Sequence, residues 1–237
     1  MKCVPMIFNR EMVCALLEGR KTVTRRPLKI KPEWHFEKIG KITSSHPKKG
    51  SWGAFVRKGA GTDFPETDLI KAPCWIGDLI WVRETFCMGR IFDHDSGHPA
   101  SDYLYVEQCK DDKNYPIYKQ QCLSDGVELE EVRWTPSIHM PRRASRLTLK
   151  VTDVRIERVK EITDDQAEKE GMMTTEASQK KAIECGLSWF ERPAVQFKNL
   201  WQRIYEDWES NPYVWVIEFE VVNQNIDKYL NGVNKCQ

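Results

Sequence analysis

No two cysteines in this chain stand at CxxC spacing, although it has eight of them. A zinc ribbon therefore has no ligands at the required separation. No apolar run approaches the roughly 18 residues of a membrane span, and the opening MKCVPMIF turns polar too soon for a signal peptide. The expectation is a cytoplasmic chain with no membrane partner, whose thiols are reduced and not paired in disulfides. Charge of one sign is missing too: 36 lysines and arginines meet 35 aspartates and glutamates, for a formal net charge of +1. There is no internal repeat, no low-complexity tract and no regular βαβ rhythm, which leaves an α+β class with a small, mostly antiparallel sheet or barrel and peripheral helices.

What is present is a globular composition, 41% hydrophobic and 30% charged over 237 residues, enough to bury a core in one large domain or two small ones. The charge is polarised locally. The stretch ALLEGRKTVTRRPLKIK carries Arg20, Lys21, Arg25, Arg26, Lys29 and Lys31, with Thr22 and Thr24 among them. MPRRASR adds Arg142, Arg143 and Arg146, while residues 102–131 hold eight acids against three lysines. A chain neutral overall can present one basic face in this way.

Local signals place the elements. VPMIF reads as a strand, and NREMVCALLEG as a helix with Asn9 as N-cap and Gly19 as its stop. WGAFVRK is a strand candidate inside a turn-rich segment 31–75, and LIWVRET follows a Gly77–Asp78 turn. Residues 88–131 read as an insertion without a long periodic element. LTLKVTDVRIERV alternates like a half-buried strand. ITDDQAEKEGM starts a helix at Thr163 and stops it at Gly171. Residues 172–192 are a third insertion, irregular or helical. AVQFKNLWQRIYEDW is an amphipathic helix with Val195, Leu200, Ile204 and Tyr205 toward one side, and NPYVWVIEFEVV is a last strand. The reading is one domain over 1–225 and a polar tail over 226–237.

The cationic stretch has three readings: a solvated helix end, a phosphate grip, or a site in which a lysine of lowered pKa activates a threonine hydroxyl. Arg20, Arg25 and Arg26 would push Lys21 toward the neutral amine. In a regular strand, however, Lys21 and Thr24 point to opposite faces, so their cooperation requires a turn or bulge. Glu170 ends a helix at the negative end of its dipole, which calls for a nearby cation, Lys21 or an arginine. Trp134 is placed either to pack or to stack a base, and His139 either to bond backbone or to act as base or ligand. DHDSGH, Asp93 to His98, has metal-capable side chains but no second cluster to complete a site, so no metal and no cofactor is expected.

In their order, EGRKTVTRR, GDLIWVRET, WTPSIHMPRRASRLTLKVTDVRIERV, ITDDQAEKEGM and VWVIEF resemble the ASCH-domain proteins of phages and prophages. These belong to the PUA-like superfamily of small β-barrels associated with RNA. The resemblance implies a partly open barrel with helices at its rim, in a bacterial host cytoplasm, recognising RNA, modified DNA or a modified nucleoside. A bacterial branch with similar core motifs hydrolyses N(4)-acetylcytidine without a metal, through a lysine and threonine in a GRKTxT segment and a glutamate after a helix. By motif these fall on Lys21, Thr24 and Glu170. The resemblance then implies an amidohydrolase on an acylated cytosine base, with Arg20, Arg25, Arg26, Trp134, His139, Arg142, Arg143 and Arg146 as binding residues. The alternatives are a non-catalytic module that binds RNA or DNA, and a protein-binding role for the acidic insertion.

Overall fold

The computed structural model of the chain describes residues 1–43, 50, 52–59, 66–93, 104–107, 114–124 and 132–235. The chain begins with β1 (Cys3–Ile7), α1 (Arg10–Leu17), β2 (Val23–Pro27), β3 (Trp34–Lys41), β4 (Trp52–Lys58) and β5 (Glu66–Lys71). There follow β6 (Leu79–Arg83), β7 (Phe86–Asp93), β8 (Leu104–Glu107), β9 (Tyr115–Tyr118), α2 (Lys119–Ser124) and β10 (Thr148–Arg158). It ends with α3 (Asp164–Lys169), α4 (Thr175–Glu184), α5 (Pro193–Tyr205), β11 (Tyr213–Val222) and α6 (Ile226–Lys235). The mixed α+β class is the expected one, and the strand orders are open ones.

The chain divides into two compact units. The first comprises Met1–Lys2, Arg20–Asp78 and Lys150–Glu220; the second comprises Cys3–Gly19, Leu79–Leu149 and Val221–Gln237.

In the first unit β10, β11 and β2 are neighbours, with β2 antiparallel to β11 and Thr24 opposite Ile217. The segment 31–75 is richer than its one expected strand. β4 coincides with WGAFVRK, and β3 and β5 flank it as antiparallel partners. Gly53 is obligatory there, because a Cβ would lie 2.3 Å from the carbonyl oxygen of Ile70. Helix α3 has the expected Thr163 cap, whose side chain accepts from the Gln166 N–H while the Gln166 side chain returns to the Thr163 N–H. Its end is a Schellman turn: Gly171 N–H donates to the Glu168 carbonyl at 2.8 Å and Met172 N–H to that of Ala167 at 3.1 Å. Gly171 has the positive φ of 97° that this turn requires.

α5 corrects the expected helix face. Val195 and Ile204 are 42% and 45% exposed, and the buried stripe is Pro193, Phe197, Leu200 and Trp201. These stand at i, i+4, i+7 and i+8, the spacing of one helical face. Phe197 and Trp201 join Val23, Val159, Ala167, Trp208, Val214 and Val216 in the core, and Met172 and Tyr205 pack against it.

In the second unit β1 runs parallel to β6. α1 has its Asn9 cap, accepting from the Met12 N–H at 2.8 Å, and ends at Gly19 with φ 73°. In the described part of 88–131 the elements are short ones, and β7 pairs antiparallel with both β8 and β9. The expected tail is also corrected, because residues from Ile226 form α6. Ile226 is fully buried with Leu79 and Trp81, and Tyr229 and Leu230 pack beside it. Their i, i+3, i+4 spacing makes one apolar stripe on an otherwise polar helix. Among the described residues no helix is long and apolar enough to cross a membrane.

Candidate functional site

The expected acid–cation pairing at the end of α3 is present. Thr22, just before β2, donates its N–H to the Lys169 carbonyl at 2.9 Å, while its own carbonyl accepts from Phe219 N–H. The backbone at Lys21 is thus held between the C-terminus of α3 and β11. Lys21 Nζ reaches the last helical turn and donates to Glu170 Oε2 at 2.6 Å and to the Glu170 carbonyl at 2.7 Å. Lys21 is 0% exposed and Glu170 2%.

Arg25 joins the pair from β2. Its Nη1 lies 3.4 Å from Glu170 Oε1, an ion-pair distance, and its Nη2 donates to Gln166 Oε1 at 2.9 Å and Glu157 Oε2 at 3.0 Å. Glu157 Oε1 in turn accepts from Arg155 Nε at 2.6 Å, and Arg155 also binds Asp153 and Glu218. Charge alternates along the series Lys21, Glu170, Arg25, Glu157 and Arg155. The buried end is compensated, and the outer members meet solvent. Gln166 and Glu157 were not singled out from the sequence. The signal for Gln166 was its place one turn before Glu170 on the same helix face.

Burial depresses the pKa of Lys21, because the charged ammonium loses its hydration. The Glu170 carboxylate opposes that shift by charge and hydrogen bond, and Arg26 and Arg25 reinforce it. Two of the three arginines expected to act on Lys21 therefore do so. Arg20 is instead exposed and donates from Nη1 to the Gly171 carbonyl at 2.8 Å, beside the pair.

Thr24 is brought close in sequence but not into the hydrogen-bond set. It is 1% exposed and sits within β2, where the pleat places it on the opposite face from Val23 and Arg25. No hydrogen bond joins Thr24 to Lys21 or Glu170 among the described residues. Lys21 itself lies before β2, which begins only at Val23, so the regular strand that would set Lys21 and Thr24 on opposite faces does not extend to it.

The remaining candidates lie in the second unit. Arg146 is committed to Glu84 by two bonds of 2.9 Å, and its guanidinium lies 4.1 Å over the Tyr118 ring. Arg142 pairs with Asp227 at 2.7 Å, while Arg143 is exposed. Carboxylates thus already hold two of the three arginines expected on phosphates. Glu84 is 3% exposed, and burial raises its pKa against the pull of Arg146. Trp134 packs against Cys87, Ile117 and Cys122 with Lys119 5.8 Å from its ring, so it serves the core. His139 ends an exposed 3-10 turn at Ser137–His139.

Among the described residues no three His, Cys, Asp or Glu side chains cluster to hold a metal. Of the DHDSGH stretch, residues 94–98 lie outside the described residues, as does most of the acidic run over 102–131. The described cysteines are free thiols.

Comparison with known proteins finds no matching family model, no matching curated protein and no matching solved structure.

Proposed function

We propose that this is an ASCH-like protein of the PUA-like kind, from a phage or prophage and working in the host cytoplasm. In this reading it recognises a modified nucleoside or nucleic acid and removes an acyl group from an acylated cytosine base. The observation that carries the reading is the buried Lys21–Glu170 pair, an amine of depressed pKa held at 2.6 Å by a carboxylate. Desolvating two ionisable groups is expensive for a fold, and such perturbed pairs gather at functional sites.

In the reaction neutral Lys21 takes the Thr24 hydroxyl proton as Thr24 Oγ attacks the acyl carbonyl. Lys21 then gives that proton to the departing cytosine amine, leaving an ester on Thr24. Water hydrolyses the ester, releasing the carboxylic acid and restoring Thr24. In this reading Glu170 orients Lys21, and Arg26 or backbone N–H groups would stabilise the oxyanion. This chemistry requires the site to open, because all three side chains are closed to solvent, and it requires a Thr24–Lys21 hydrogen bond that is not formed among the described residues.

That requirement favours a second reading, a module that binds without catalysis and uses the pair as a buried clamp between α3 and the start of β2. Incubation with N(4)-acetylcytidine, free and in RNA, separates the two. The catalytic reading expects cytidine from the wild type and loss of release in Thr24→Ala. Binding of the RNA with no release from either substrate would leave the module and end the hydrolase.

A further inference from the structure

We infer that a groove beside β3 in the first unit seats one base of a single-stranded nucleic acid, with Trp34 as stacking platform and Lys31 and Arg158 on the flanking phosphates. The inference rests on the nucleic-acid side of the proposed function and adds the surface that would do the recognising. None of its residues was singled out for that role by the resemblance.

The groove encloses about 450 Å³, and its character comes from Lys31, Trp34, His35, Phe36, Arg158 and Tyr213. Aromatic rings and two cations line it, and among the described residues no carboxylate does. A lining of that kind suits a ligand that is flat and negatively charged, as a base with its phosphates is. The opening cationic run thus divides: Lys21 and Arg25 turn inward to Glu170, and Lys31 turns to the groove.

The rings do not play equal parts. Tyr213 is already engaged, with Phe36 4.8 Å away and the Arg158 guanidinium 3.6 Å over its ring. Arg158 Nη1 also donates to the Asn211 carbonyl at 2.8 Å, so this wall is set before any ligand arrives. Trp34 is different. It is half-buried and has no ring or cation partner among the described residues. Its backbone N–H donates to the Lys31 carbonyl at 2.9 Å, closing a turn, and both side chains line the groove. Lys31 has no carboxylate within ion-pair distance among the described residues. An unstacked indole beside an uncompensated ammonium is the pairing that base stacking with phosphate contact uses.

The test is fluorescence anisotropy of a labelled eight-nucleotide RNA, and the same sequence in DNA, titrated with the full chain over a range of salt. Trp34→Ala should weaken binding about tenfold or more, and Trp34→Phe should retain most of the affinity because a ring remains. Lys31→Ala should lower the slope of log affinity against log salt by about 0.7. Trp189→Ala, which removes an exposed indole outside the groove, should bind like wild type. Oligonucleotide binding that ignores Trp34 and Lys31 overturns this site while leaving the proposed function standing. Capture of an acidic peptide with no oligonucleotide binding overturns it as well. Absence of acetylcytidine hydrolysis alone does the reverse, ending the catalytic reading and not this one.

Discussion

Lys21 Nζ donates twice to Glu170, at 2.6 Å to the carboxylate and at 2.7 Å to the backbone carbonyl of the same residue. One ammonium therefore neutralises the side-chain charge and also satisfies a carbonyl at the end of α3, where the helix dipole is negative. Against these gains stands the desolvation of both groups. Such a pair is held in place by its surroundings more than it holds them, and its removal should be read one partner at a time.

Loss of Glu170 leaves the Lys21 ammonium buried without its carboxylate, and loss of Lys21 leaves Glu170 with Arg25 alone, at 3.4 Å. Lys21→Met or Glu170→Gln should each cost about 3–5 kcal/mol of unfolding free energy. The double variant should cost clearly less than the sum, because neither buried charge is then left uncompensated. Urea titrations of the four proteins close the cycle. Additive losses would show that the two groups are not energetically coupled.

The depressed pKa of Lys21 sets the sign of a pH effect. Between its native value and the ordinary 10.5, the unfolded chain holds a proton on Lys21 that the native state has released. Stability then rises with pH across that window, since the unfolded state binds more protons. Urea midpoints of wild type and Lys21→Met should accordingly diverge in favour of wild type as pH climbs toward 10.5. Parallel curves would mean that Lys21 titrates normally.

Much of this site was legible because its signals are local. Asn9, Gly19, Thr163 and Gly171 each announce a helix end, and all four play that part. An acid at a helix C-terminus called for a cation, and two arrived. The partners of Arg142 and Arg146 were not legible, since Asp227 and Glu84 lie far away in sequence and no spacing rule joins them. β5 depends on pairing with β4 rather than on alternation of its own, and the alternation of β3 over Trp34–Glu37 is interrupted by a register shift between Phe36 and Lys38. On α5 the apolar Val195 and Ile204 misled because a helix buries the stripe its neighbours cover, and here that stripe begins at Pro193. On α6 the stripe of Ile226, Tyr229 and Leu230 was present in the sequence but diluted by polar neighbours.

Glu84 offers a titration of opposite sign. Burial raises its pKa, and Arg146 is the group that holds it down. Between the ordinary 4.5 and its native value, the folded state keeps a proton that the unfolded state has lost, so stability falls as pH rises. Arg146→Met removes the compensating charge and widens that window. The loss in this variant should therefore be small at pH near 4.5 and should grow toward neutrality, to about 3–5 kcal/mol. Adding Glu84→Gln should flatten the dependence. A loss that stays constant with pH would assign the effect to packing on Tyr118 instead.

Two glycines should respond very differently to alanine. At Gly53 the added Cβ would meet the Ile70 carbonyl oxygen at 2.3 Å and Leu69 Cγ at 2.9 Å. The first is backbone of the paired strand β5 and cannot turn aside, so β4 and β5 must separate. A cost of about 1–3 kcal/mol or more follows from forcing volume into a packed site. At Gly19 nothing lies within 4 Å, and only the positive φ of 73° resists a side chain. That conformational penalty is about 1–2 kcal/mol, paid within the turn. The discriminating measurement is amide hydrogen exchange: Gly53→Ala should accelerate exchange along β4 and β5, whereas Gly19→Ala should disturb only the end of α1. Native protection across β4 and β5 in Gly53→Ala would mean that the two strands can part and re-pair at no cost, contrary to the close approach seen at Ile70.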